Sequence, residues 1–120
     1  AQYTFEEQEE KPKAEIGLSF DTVPRQLADA LNISGGAYVV SVKPGSLADD
    51  AGLLGAEQGG RGDVIVAANG KPINSPQDLI AIVKGLKSGE AVILKFLRVV
   101  GQDENRNLMA SPNYTSIIKP

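Results

Sequence analysis

The sequence predicts a mainly β domain carrying two to three helices. Three observations lead there. Short runs of β-forming residues recur at 37–42, 64–68 and 90–98, each of strand length and bounded by Gly, Pro or Asn. Asn69-Gly70 joins the second run to Lys71-Pro72-Ile73 and is the strongest hairpin signal in the chain, matching a type I′ turn. Helical periodicity with a start signal occurs only in short stretches, near Pro24, Ser46 and Ser75. The 120 residues suit one domain, and 42% hydrophobic content with 5% aromatic and no Trp implies an aliphatic core.

Residues 1–13 differ from the rest. Glu6, Glu7, Glu9 and Glu10 precede Lys11-Pro12-Lys13, a composition that reads as an acidic, solvated linker. A short helix or an added strand is the alternative, with Tyr3 and Phe5 as local anchors. As a linker, residues 1–11 are expected to be removable with little change in melting temperature.

Ile16-Gly17-Leu18 then leads into Ser19-Phe20-Asp21, whose alternation marks a half-buried strand. Glycine at this point permits positive φ and close approach of another backbone. Successive N–H groups in such a turn form an anion-binding nest, and a nest at the start of an exposed strand can hold a peptide's terminal carboxylate. A plain bulge or turn is the simpler reading of the same glycine.

The first helix is expected from Pro24 to Leu31, with Leu27, Ala28 and Leu31 on one face and Asn32 and Gly35-Gly36 ending it. Ala37–Val42 reads as a buried strand. Ser46-Leu47-Ala48-Asp49 has the shape of a capping box and opens a short helix that Gly52 stops. Leu53–Gly62 reads as a flexible, glycine-rich surface insertion that shortening should not harm. Ser75-Pro76-Gln77-Asp78 starts the best helix, with Leu79, Ile82, Val83 and Leu86 forming one apolar stripe and Ile80 beside it. After the strand 90–98, a polar turn over 101–105 leads to a weak last strand near Arg106–Ala110. The tail from Ser111 carries two prolines and little pattern.

The residue types present exclude much chemistry. The chain has no His and no Cys, which removes the commonest general base, the thiol nucleophile, disulfides and thiolate metal sites. No serine lies in a nucleophile turn, and no acidic spacing fits a calcium loop, so no catalytic residue, metal or cofactor is assigned. Asp49-Asp50 reads as solvated helix charge. Arg61-Gly62-Asp63 and Asn113-Tyr114-Thr115 match adhesion and glycosylation patterns only formally. A net charge of −3 offers no basic face for nucleic acid, and no run reaches the roughly 18 apolar residues of a membrane span. No signal peptide is visible, and a processed chain would have lost one.

Taken as a set, Ile16-Gly17-Leu18, Gly36-Ala37-Tyr38-Val39-Val40, Pro44-Gly45-Ser46-Leu47-Ala48, Ala51-Gly52-Leu53, Gly62-Asp63-Val64-Ile65 and Asn69-Gly70-Lys71-Pro72-Ile73 resemble a bacterial-type, circularly permuted PDZ domain. The order is that of the PDZ domains attached to HtrA/Deg serine proteases, and it covers residues 14–110, leaving 111–120 as a tail. Here residues 54–61 intervene before Gly62-Asp63, where the family often has a shorter link.

The resemblance implies a partly open β-barrel capped by helices, and a peptide-binding module that is not itself an enzyme. It implies that the N–H groups around Ile16, Gly17 and Leu18 receive the carboxylate of a peptide with an apolar last residue. Ser19 and Phe20 would line one side of the groove, and Leu79, Ile80, Val83 and Leu86 the other. Leu79 falls where the family often holds a polar selector for the third residue from the peptide's end, so an apolar residue is expected there. The expected partners are C-termini of unfolded or partner proteins and the protease domain of a parent chain, in a bacterial periplasm or envelope, with a role in protein quality control.

Two further classes stay open at this point. One is a structural or oligomer-contact module of another envelope protein, such as a site-2 or carboxy-terminal-processing protease or a secretion component, whose groove is closed by its own tail. The other is a small-molecule or lipid-binding barrel.

Overall fold

The computed structural model describes residues 2–5, 16–58 and 61–120. In chain order the elements are β1 (Tyr3–Thr4), β2 (Leu18–Thr22), α1 (Arg25–Leu31), β3 (Ala37–Val42), α2 (Leu47–Asp50), a 3-10 turn (Ala56–Gln58), β4 (Val64–Ala68), β5 (Lys71–Pro72), α3 (Pro76–Lys84), β6 (Ala91–Gln102) and β7 (Leu108–Ile118). The strands form one antiparallel sheet in the order β1-β2-β3-β4-β6-β7, with β5 pairing to β4 off that path. The expected mainly β fold with a few short helices is therefore present.

The helices start where local side-chain chemistry says they should. Ser46 Oγ accepts the Asp49 N–H at 3.2 Å, and the Asp49 carboxylate accepts the Gly45 N–H at 2.9 Å. Ser75 Oγ accepts the Asp78 N–H at 3.3 Å, while Asp78 accepts the Asn74 N–H at 2.9 Å. α2 and α3 thus each have donors at their entry satisfied by a reciprocal pair of short polar side chains, whereas α1 starts after Pro24 with no side-chain cap. Asn32 closes α1 in the left-handed conformation, and Asn69-Gly70 turns β4 into β5 with φ of 51° and 79°, the geometry of a type I′ turn.

One core lies between the sheet and α3. Phe20, Ile65, Ile73, Leu79 and Leu94 are its largest fully buried members, with Leu53 closing it beneath α2. A smaller cluster of Val23, Ala28 and Val64 holds α1 against the opposite side.

Three segments differ from expectation. First, Tyr3–Thr4 takes the added-strand alternative to the linker reading, and Phe5 packs on the main core. Residues 6–13 of the expected linker lie outside the described residues. Second, the last strand runs on through Ile118 and pairs with β6 as far as Ala91↔Ile118, so most of the supposed tail belongs to the sheet. Its signal is weak because the inward positions Asn113 and Thr115 are polar. Thr115 Oγ1 donates to Ala51 C=O at 2.8 Å, and only Ile117 is a buried hydrophobic.

Third, the ends of the glycine-rich insertion are anchored. Leu54 and Asp63 exchange hydrogen bonds, and the Tyr38 hydroxyl accepts the Gly62 N–H. Gly55 and Gly62 are buried against β3, where a Cβ on Gly62 would lie 1.9 Å from Val39 O.

Candidate peptide-binding groove

The groove runs between β2 and α3, and the Ile16-Gly17-Leu18 turn closes one end. Gly17 has φ of +69°, and a Cβ there would fall 2.3 Å from Ser46 Cβ, so only glycine lets the turn lie against the entry of α2. Both carbonyls of the turn are engaged inward. Ile16 C=O accepts the Ala48 N–H at 3.0 Å, and Gly17 C=O accepts the Lys43 N–H at 2.9 Å.

In a trans peptide the N–H points opposite to the preceding C=O. The Gly17 N–H is therefore aimed away from α2, and the Leu18 N–H away from the end of β3. The side of β2 opposite β3 is the side on which β1 lies. The Leu18 N–H thus faces the side of β2 on which β1 lies, and the Gly17 N–H is left free of α2.

Beside this turn is an apolar pocket. Ile16 and Leu18 form one wall, Leu79 and Val83 of α3 the other, and Val92, Leu94 and Ile117 the floor. Its lining is apolar throughout, so it suits an aliphatic or aromatic side chain and offers no partner to a polar one.

Phe5 is a further lining residue of this pocket, closing it from the side of β1. β1 pairs antiparallel with β2 in the register Tyr3↔Phe20 and Thr4↔Ser19. The Phe5 ring stands 5.2 Å from the Phe20 ring, and the Tyr3 ring stacks on the same Phe20 at 6.3 Å. Gln77 Nε2 donates to the Tyr3 hydroxyl at 3.1 Å, and Ser19 Oγ donates to Gln2 Oε1 at 2.9 Å. Residues 2–5 therefore lie along β2 as an extended peptide would.

The residues singled out in the sequence fall into three groups. Ile16, Gly17 and Leu18 form the turn, and Leu18, Leu79 and Val83 meet in the pocket. Ser19 and Phe20 carry β1. Ile80 and Leu86 are only partly buried, pack on the main core, and are not among the residues that line the pocket. Leu79 is fully buried, deeper than a selector at the groove's rim would be. The residue that meets the side chain two positions before Phe5 is Gln77, on the exposed face of the first turn of α3. Sequence reasoning passed over Gln77 because an exposed polar residue after a helix-starting proline is unremarkable without a partner in view.

Among the described residues no group of acidic side chains is arranged to hold a metal ion, and no helix is long and apolar enough to cross a membrane.

Residues 11–110 match the PDZ domain family. The chain is 36% identical over 98 residues to the periplasmic serine endoprotease DegP of Escherichia coli K12, covering 80% of this chain and 19% of that protein. It is 34% identical over 87 residues to Protease Do-like 8, chloroplastic, of Arabidopsis thaliana, covering 68% of this chain and 19% of that protein. The chain thus spans about a fifth of the length of these relatives. The crystal structure of the HtrA3 PDZ domain bound to a phage-derived ligand, FGRWV, superposes with a TM-score of 0.60 at 26% identity, covering 88% of this chain and 84% of that one. The motif set, the sheet order and the turn at Gly17 agree with these matches: the chain belongs to the PDZ domain family, with its relatives among the DegP/HtrA-type proteases.

Proposed function

We propose that this domain binds extended peptides by their free C-terminus, as the peptide-recognition module of an HtrA/Deg-type serine protease. The observation that carries the reading is the coincidence of the Gly17 turn, with the Leu18 N–H aimed at the edge of β2, and the apolar pocket of Leu18, Leu79 and Val83 directly beside it. The peptide-bound state of the structurally similar HtrA3 domain supports it.

A bound peptide adds a strand to β2. Its carboxylate meets the N–H groups of Gly17 and Leu18, and its last side chain enters the pocket. Backbone pairing is common to all sequences, so selectivity comes from the pocket. Filling it with one apolar side chain contributes roughly 1.5–3 kcal/mol, about ten- to hundredfold in affinity. The domain supplies no catalytic group of its own in this reading. It would deliver or sense protein C-termini for a protease domain in the parent chain, in a periplasm or envelope, as the periplasmic relatives suggest.

The test is calorimetry with a matched peptide set ending in Val, Leu or Phe, each as free acid and as amide. The free acids should bind with dissociation constants on the order of micromolar, a modest affinity for so small a contact, and the amides at least tenfold more weakly. Equal affinity for acid and amide would overturn carboxylate capture.

A further inference from the structure

We propose that residues Gln2–Phe5 are a tethered ligand of the chain's own groove, which an incoming peptide must displace, and that they display the peptide class the groove prefers: an aromatic last residue with a tyrosine two positions before it. The proposal rests on the reading above that peptides bind by strand addition to β2.

The first argument is exclusion. β2 has two edges, and β3 occupies one of them. β1 occupies the other in antiparallel register, and Phe5 packs over the apolar pocket beside the Ile16-Gly17-Leu18 turn, as one of the residues that line it. A peptide cannot pair with β2 or fill that pocket while Tyr3–Phe5 is in place.

The second argument is mimicry. In a strand, alternate residues face the same side. Tyr3 and Phe5 both turn toward Phe20, and Tyr3 reaches Gln77 on α3, whereas Thr4 between them is exposed. A β2–α3 groove reads an incoming chain at this same spacing. Gln77 gives a hydroxyl at the third position from the end a donor it would otherwise lack.

The third argument is that the segment is a deliberately incomplete ligand. It is joined to the Ile16 turn through only ten residues, 6–15, so its local concentration is high however weak its contacts. Yet the chain continues from Phe5 into Glu6-Glu7. Phe5 presents a peptide carbonyl where a true C-terminus presents a carboxylate, and charge-assisted bonds to backbone N–H groups are the stronger ones. A free C-terminus therefore displaces the segment, while an internal stretch of equal sequence does not. If the open groove is populated at about 1–10%, the apparent affinity for a peptide falls about ten- to hundredfold below the intrinsic one.

The experiment uses the full chain and its double variant Tyr3→Ala/Phe5→Ala. The probe is a fluorescein-labelled peptide ending in Gly-Tyr-Thr-Phe as free acid, followed by anisotropy. The variant should bind at least tenfold more tightly than the intact chain. A peptide ending in Gly-Gly-Thr-Phe should bind the variant several-fold more weakly than the tyrosine peptide. Equal affinity of the two chains overturns the proposal.

In the intact chain, NMR should show contacts between the Phe5 ring and the Leu79 and Val83 methyl groups, and these should vanish when peptide saturates the groove. Their absence in the free chain also overturns the proposal, whether or not the variant folds. If no free-acid peptide binds either chain, peptide capture fails as a function. In that event the presence of the Phe5 contacts still supports self-occupancy, and their absence refutes it.

Discussion

Arg98 meets Asp63 side on. Nε lies 2.9 Å from Oδ1, and a terminal guanidinium nitrogen lies 2.8 Å from Oδ2. The Asp63 side chain is almost fully buried, at 2% exposure, while that of Arg98 keeps 34%. The same guanidinium donates to Gly52 C=O at 2.7 Å and stands over the Phe96 ring, and Asp63 also accepts the Leu54 N–H. The hydrogen bonds that Arg98 donates to Asp63 raise its pKa further above its already high ordinary value, against the opposing effect of burial. This pair fastens β6 to both ends of the glycine-rich insertion.

Removing Arg98 leaves the Asp63 carboxylate buried with one backbone donor. Arg98→Ala should destabilise the domain by about 2–4 kcal/mol, between the cost of one charged hydrogen bond and that of a fully buried pair. Arg98→Lys should recover only part of this, since an ammonium lacks the two-pronged geometry. Urea melts of the two variants check both statements, and a loss under 1 kcal/mol for Arg98→Ala would show that solvent already screens the pair.

Gly17→Ala should damage binding and stability together. A Cβ at φ +69° costs about 1–2 kcal/mol, and the Ser46 Cβ only 2.3 Å away must also give. The Ile16-Gly17-Leu18 turn would then shift, and affinity for a free-acid peptide should fall at least tenfold while the circular dichroism spectrum stays that of the folded chain. Unchanged affinity would place the carboxylate elsewhere.

Ending the chain at Ala110 removes most of β7, including buried Ile117 and the Thr115 bond to Ala51. It also exposes the inner edge of β6. The shortened chain should lose its cooperative thermal transition. Melting within a few degrees of the full chain would mean that this core-side half of the β6–β7 hairpin contributes little.

Replacement of Gly62 by Ala brings a methyl within 1.9 Å of Val39 O, and overpacking against backbone typically costs about 1–3 kcal/mol. Slow hydrogen exchange at the Gly62 and Asp63 amides, which donate to Tyr38 and Leu54, is expected in the parent chain. Fast exchange there would restore the picture of a loose insertion.

Asp103 organises the β6–β7 turn. The Asn107 N–H, foremost, and the Asn105 N–H hold its carboxyl below the usual carboxylate range. A depressed pKa in the folded turn means its contribution is complete above the unfolded value of about 3.9 and fades as pH falls through the folded one. An NMR titration should show the Asn105 and Asn107 amide shifts moving only below about pH 4. In Asp103→Ala those shifts should be insensitive over the same range, with the rest of the sheet unchanged.

Features written in neighbouring residues can be read without the fold. Helix entries at Ser46 and Ser75, the Asn69-Gly70 turn and the left-handed Asn32 depend on side chains within four positions of the groups they satisfy, so a linear reading finds them. The motif series from Ile16 to Ile73 identified the PDZ fold for the same reason. Features that join distant parts of the chain emerge only when the elements pack together. Asp63 and Arg98 are 35 residues apart, and nothing near either one announces the other. The core-side part of β7 is a strand because β6 offers it an edge and α2 an acceptor, not because its polar inward residues favour one. Tyr3 and Phe5 read only as local anchors of an acidic segment until Phe20, Leu79 and Val83 come together from two other elements. The pocket that Phe5 helps to line does not exist in any local stretch, so the place of Phe5 could not be recognised there.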